Sequence, residues 1–240
     1  MHLLRVRRQL LSINLPDGYR LRVLDEVDST NAEAARIVAQ LAGPEWVLAR
    51  RQTNGRGRRG RAWSDPVGNF AASLVLFPQH PPDQIALRSF VAALALFDAL
   101  VATTGRSDTL ALKWPNDVVI AGRGKLCGIL IEASGDNLIV GTGVNIAPVA
   151  PLDDAVFPPV AMGDFAGVSV TPHALATAYC TQLARRYAAY AETGFSPVRS
   201  EWLSHCVHRQ QQMTVHCADM AISGVFTDLA EDGTLTLLAD

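Results

Sequence analysis

Residues 55–61 read GRGRRGR, four arginines and three glycines in a row of seven, set between two apolar runs. Glycine weakens helix and strand alike, so residues 52–69 are a loop joining a strand at 46–49 to a buried strand at 70–77. Such a loop has a chemistry of its own. Glycines let the backbone come close to a ligand and expose N–H groups, and guanidinium groups supply rigid forked donors for phosphate or carboxylate. An anionic small molecule is the natural guest; an exposed basic loop and an RNA-binding Arg-Gly segment are the competing readings. No Gly-Lys-Ser/Thr follows it, and no strand–loop–helix with a distal acid surrounds it, so it is neither a Walker A loop nor a dinucleotide fingerprint.

Around this loop the chain alternates between helical and strand periods. Leu21 and Val23 alternate with Arg20 and Arg22 in a half-buried strand. A helix follows from near Thr30, where Thr30 and Glu33 have capping-box spacing, and Gly43-Pro44 ends it. A long Ala/Leu-rich helix, capped by Asp83 and reaching about Thr104, is apolar on most sides and belongs between layers. Short strands at 111–114, 118–120, 126–133 and 138–141 are joined by hairpin turns at 121–124 and 134–137. Residues 147–171 form a long connection without a period, of the kind that often carries function. Thr171-Pro172 starts another helix, which reaches about Ala191, and Trp202 lies in a short one. Three short strands with an Asp232-Gly233 turn fill 213–238. The class is α+β, a mixed sheet packed with helices plus a small C-terminal β-module, with domains at 1–208 and 209–240.

Composition removes several classes of function. With 49% hydrophobic and 18% charged residues, 240 residues make a packed globular chain. A formal net charge of −2 gives no global attraction to nucleic acid, no apolar run is long enough to span a bilayer, and the N-terminus has no signal-peptide pattern. The four cysteines form no CxxC pair, which suits free thiols in the cytoplasm. His205, Cys206, His208, His216 and Cys217 invite a zinc reading, but their spacing fits no common zinc pattern.

Three further segments carry polar groups at strand ends. In Lys113-Trp-Pro-Asn-Asp117, Pro115 stiffens a turn, and Asn116 and Asp117 can orient phosphate or hold Mg²⁺ through oxygen; turn chemistry alone also explains them. In Lys125-Leu-Cys-Gly-Ile-Leu-Ile-Glu132, Lys125 sits at the start of an apolar strand, and Gly128 predicts a bulge or a close ligand. Gly141-Thr-Gly-Val-Asn-Ile146 reads as a sharp turn.

In this order, and preceded by Asp28-Ser-Thr-Asn31 and Gln52, these segments resemble the biotin protein ligases over residues 25–146. The resemblance implies a two-step acyl transfer, in which biotin and ATP give biotinyl-5′-AMP and a lysine of a biotin carboxyl carrier domain then takes the acyl group. It implies that Ser29, Thr30, Asn31 and Gln52 meet the ureido head, and that Arg56, Gly57 and Arg58 belong to a loop folding over biotin and the adenylate. Lys125 and Arg58 are the implied catalytic residues, with Lys125 near the biotin carboxyl and α-phosphate and Gly128 beside biotin. Gly55, Arg61, Trp63, Lys113, Asn116, Asp117 and Asn145 form the implied nucleotide side, with Trp63 packing against the ligand and Mg²⁺ entering with ATP near Asn116 and Asp117. The family's C-terminal module is a small SH3-like barrel, which the strands at 213–238 match in abbreviated form. About 24 residues precede the match, too few for the DNA-reading helices of some members, so no sequence-specific DNA partner and no membrane partner is expected. A homodimer is allowed and not required. Lipoate or octanoate ligation is the alternative within the same superfamily, and an RNA-binding module is the alternative of another class, which the sequence pI of 6.3 disfavours.

Overall fold

The computed structural model describes residues 13–78, 85–150, 157–164, 168–217 and 220–239. Strands β1 (Arg20–Leu24), β2 (Glu45–Ala49), β3 (Phe70–Leu76), β4 (Leu110–Lys113), β5 (Asp117–Ile120), β6 (Gly124–Ser134) and β7 (Asn137–Val144) form one seven-stranded sheet in the order β1-β2-β3-β7-β6-β5-β4. Only β1 and β2 pair in parallel, because helix α1 (Thr30–Ile37) carries the chain back between them; every other neighbour is antiparallel. The sequence reading of an α+β mixed sheet holds.

Alternation along the strands divides the core between two faces. Val47, Val75 and Ile139 point to one side, where Ala34, Ile37 and Val38 of α1 and the turn after it cover them. Trp46, Leu48, Phe70, Leu74, Leu138 and Val140 point to the other side, into the larger core, where α2 (Arg88–Thr104) and α3 (Pro172–Thr193) pack. Helix α2 is buried along nearly its whole length, as its uniformly apolar sequence requires. It begins at Arg88 without a side-chain cap; the cap expected at Asp83 lies outside the described residues. Tyr179 on α3 sits edge-on to Trp46 and Phe70, and its hydroxyl lies 2.9 Å from Thr142 Oγ1 in a fully buried pair.

The α1 terminus corrects one expectation. Ser29, not Thr30, is the N-cap and accepts from the Ala32 N–H, while Glu33 pairs with Arg36 rather than closing a capping box. Thr30 is thereby free to turn inward, towards the sheet.

After α4 (Phe195–Ser204), strands β8 (Gln212–Cys217), β9 (Met220–Leu229) and β10 (Leu235–Leu238) form a separate antiparallel sheet, which fits a small SH3-like module. Its β9–β10 turn docks on the larger body. Gly233 has φ +80°, an added Cβ there would lie 2.7 Å from Phe90 Cε2, and its carbonyl accepts from Trp114 Nε1 at 3.2 Å. His205 stacks on Phe97 with ring centroids 4.3 Å apart, and His208 meets Phe157 at 5.3 Å. The side chains of His216 and Cys217 lie outside the described residues. Among those described, no group of three His, Cys, Asp or Glu residues is placed to hold a metal.

Tyr179→Phe leaves the buried Thr142 hydroxyl without its partner and is expected to lower folding stability by about 1–2 kcal/mol in urea titration. The double variant Tyr179→Phe/Thr142→Val removes both polar groups and is expected to recover part of that loss, a coupling read from the complete mutant cycle.

Candidate active site

The α1 face of the sheet is filled only over part of its length. Register sets Val75 beside Ile139, then Ser73 beside Gly141, then Ala71 beside Gly143 and Gly128, with Asp117 next to Gly128 and Lys113 next to Asp117. Large apolar side chains thus give way to small ones, and the small ones to charge. The result is a recess floored by backbone and bounded by ions.

Two side chains enter that recess because glycine lets them. An added Cβ on Gly141 would overlap the Asn31 side chain, and one on Gly143 would lie 2.6 Å from Trp63 Cε2. The segment 141–146 is therefore not the expected turn. Its first four residues belong to β7, with glycine where another group lies flat on the strand. Asn31 donates through Nδ2 to Glu132 Oε2 at 2.7 Å and accepts through Oδ1 from Ser73 Oγ at 2.6 Å. Ser73 Oγ also lies 2.8 Å from Thr30 Oγ1, and Thr30 N–H donates to Gln52 Oε1 at 2.8 Å. Four of the residues expected around the ureido head are thus brought together, Ser29 as cap and Thr30, Asn31 and Gln52 in one hydrogen-bonded chain. Ser73 was not anticipated, although a lone hydroxyl in the run Phe-Ala-Ala-Ser-Leu-Val-Leu is a legible sign of an internal partner.

The glycine–arginine segment is a short finger with its own rungs. Trp63 N–H donates to Gly55 O at 2.9 Å, Gly57 N–H to Arg61 O at 2.7 Å, and a 3₁₀ turn at Arg58–Gly60 forms the tip. Gly55 is required, since a Cβ would lie 2.7 Å from the Trp63 carbonyl; Gly57 faces no such contact. Arg56 reaches Glu132 at 3.4 Å, and Arg58 Nη1 donates to Asn116 Oδ1 at 3.4 Å. Arg61 is exposed. The indole of Trp63 lies over the floor, with Lys125 Nζ 5.7 Å from its ring centre.

The charged end is a half-buried cluster. Asp117 Oδ1 lies 2.9 Å from Lys125 Nζ and Oδ2 lies 3.7 Å from Lys113 Nζ, while Asn116 Nδ2 donates to the Ile129 carbonyl. Burial pushes the Lys113 ammonium below its ordinary range, and Asp117 partly offsets this. Lys113 also faces the Phe157 ring at 4.8 Å. Lys125 shares a face with Gly128, three residues away, only because β6 is irregular. Val118 pairs with Cys127 and Val119 with Lys125, so Leu126 is an extra residue. Of the bulge or close ligand expected at Gly128, the bulge sits at Leu126 instead, and it re-aims the lysine into the recess. Asn145 Nδ2 donates to Val160 O and its backbone carbonyl accepts from Met162 N–H, tying segment 157–162 to the sheet.

The cluster is poorly suited to hold a divalent cation by itself. Its one carboxylate is already shared by two lysines, and Asn116 Oδ1 faces Arg58. What it offers is a cationic cradle for phosphate, beside a recess lined by short hydrogen-bonding groups.

Residues 23–146 match the sequence profile of the biotin/lipoate A/B protein ligase family. A biotin–[acetyl-CoA-carboxylase] ligase of Paracoccus denitrificans is 40% identical over 223 residues, covering 90% of this chain and 92% of that protein. A bifunctional ligase/repressor of Escherichia coli is 29% identical over 232 residues, covering 93% of this chain and 71% of its own length. Among solved structures, a biotin protein ligase from Aquifex aeolicus in complex with biotin and ATP superposes with a TM-score of 0.82 at 25% identity, with 92% of each chain covered. One from Leishmania major in complex with biotinyl-5-AMP gives 0.69 at 25% identity, covering 92% of this chain and 99% of that one.

Gly143→Ala is expected to drive Trp63 off the sheet, moving tryptophan emission to longer wavelength. The shift should vanish when Gly143→Ala is measured in a Trp63→Phe background; an unshifted emission in the single variant would show that the indole is not held against β7.

Proposed function

The chain belongs to the biotin/lipoate A/B protein ligase family, and we propose that within it the protein is an ATP-dependent biotin–[biotin carboxyl-carrier protein] ligase. The observation that carries this reading is the juxtaposition on one sheet face of a short-side-chain polar recess with a cluster of two lysines and one arginine. Biotin has an apolar body, a ureido head with one carbonyl and two N–H groups, and a carboxylate tail. The recess matches the head and the cationic end matches the tail.

The reaction follows from that placement. The biotin carboxylate attacks the α-phosphorus of ATP; the new C–O–P link forms as the bond to pyrophosphate breaks. Negative charge builds on the phosphoryl oxygens, and Lys125, aimed by the Leu126 bulge, offsets it beside Lys113 and Arg58. A lysine amine of the carrier domain then attacks the acyl carbon, and AMP leaves. Thr30, Asn31 and Gln52 hold the head, with Ser29 setting the helix start that presents them. Arg56, Gly57 and Arg58 close over the ligand, Gly128 and Trp63 bracket its apolar part, and Gly55 shapes the finger. Lys113, Asn116, Asp117 and Arg61 serve the nucleotide, while Asn145 acts by anchoring segment 157–162. Mg²⁺ is carried in on the phosphates of ATP, since Asp117 between two lysines makes no protein-held cation site. The catalytic domain spans 1–208 and the SH3-like module 209–240. ATP as co-substrate supports a cytoplasmic setting, and a formal net charge of −2 gives no global attraction to DNA.

The deciding experiment is exchange of labelled pyrophosphate into ATP. It is expected with biotin and absent with lipoate or octanoate; the reverse pattern overturns the acyl specificity. Lys125→Ala is expected to lower kcat for adenylate formation by about 100- to 1,000-fold while the protein still folds by circular dichroism. Near-parental turnover would remove Lys125 from the chemistry.

A further inference from the structure

We propose that Asp65 is a positioning residue for the biotin head, acting through Gln52: it fastens the base of the glycine–arginine finger and leaves the Gln52 amide one orientation. The proposal rests on the ligase reading above. A single oxygen, Asp65 Oδ2, accepts from the Gln52 backbone N–H at 3.1 Å and from Gln52 Nε2 at 3.2 Å. At the other end of the same amide, Gln52 Oε1 accepts from the Thr30 N–H at 2.8 Å, with Thr30 Oγ1 at 3.1 Å. A flipped amide would set its NH₂ against the Thr30 N–H donor and its carbonyl against a carboxylate. Each end alone biases the amide, and the two together lock it.

The stability cost of Asp65 argues that it is kept for this. The residue is 8% exposed, its Oδ1 is buried without a partner, and burial pushes the carboxyl above its ordinary range. A buried carboxylate satisfied on one side only is unfavourable to the fold. A neutral residue of the same shape avoids that penalty, so packing does not explain the charge. The lock does, because a carboxylate accepts and never donates, whereas an amide at this position can turn either way. The two residues stand 13 positions apart, on the near side of the finger's rungs at Gly55–Trp63 and Gly57–Arg61. The base of the finger is thus registered to the first turn of α1 and, through Thr30, Ser73 and Asn31, to the recess floor.

The test compares Asp65→Ala and Asp65→Asn in the full chain. Biotin-dependent pyrophosphate exchange gives KM for biotin, KM for ATP and kcat, and hydrogen exchange reports the Gln52 amide. Asp65→Ala is expected to raise the biotin KM by about tenfold, with ATP KM and kcat within about twofold, and to strip protection from the Gln52 N–H. Asp65→Asn keeps an acceptor but can also turn its NH₂ towards Gln52, so it is expected to restore protection and the biotin KM only in part, between Asp65→Ala and the parent, and to melt no lower than Asp65→Ala. An unchanged biotin KM in Asp65→Ala, or both KM values and kcat moving together, overturns the proposal. A parent without biotin-dependent exchange overturns the ligase reading instead, and protection at Gln52 then decides the clamp alone: retained protection in Asp65→Ala refutes it.

Discussion

Gly141 and Gly143, two residues apart on β7, are the constraint around which the rest is built. With no side chain on this face of that stretch, Asn31 and Trp63 lie directly on the strand, and both would be expelled by a methyl group. The approach of α1 to the sheet, the seating of the finger and the depth of the recess all depend on this bare backbone. Elsewhere on the same face Val75 and Ile139 support the helix by apolar contact, so one surface serves as core at one end and as binding floor at the other.

Charge is confined just as sharply. Asp117, Lys113, Lys125, Arg58 and Asn116 come from three neighbouring strands, the turn that joins the first two, and the finger, and they meet at the end of the row of small residues. Asp117 is the counter-ion that makes two close lysines tolerable. The same pairing keeps both ammonium groups aimed at a common point.

The sequence revealed the type of nearly every element, because periodicity and turn residues are local properties. Strand β3, the finger, helix α3 with its Thr171 cap and the three-stranded module are legible in that way. The errors lie where a partner distant in the chain decides the outcome. Ser29 displaces Thr30 as cap because Thr30 is drawn to Gln52 and Ser73. Residues 141–144 continue a strand because their glycines answer to Asn31 and Trp63, not to a bend. The bulge sits at Leu126 because pairing with β5 fixes it, and no residue type announces it. Asp65 follows a serine and precedes a proline, a context that reads as an ordinary turn; only its burial and its two bonds to Gln52 set it apart.

The docking of the β9–β10 turn has a consequence for biosynthesis. Trp114 finds its acceptor in the Gly233 carbonyl, and the Phe90 ring is covered by the same turn. The seven-stranded sheet is complete by Val144, yet the corner that carries Lys113 to Asp117 gains its last fixed neighbour only when residue 233 has emerged. A chain interrupted before that point holds every residue of the cationic cradle and lacks the brace behind it. Closing the β9–β10 turn and bracing the cationic end of the recess are therefore a single event.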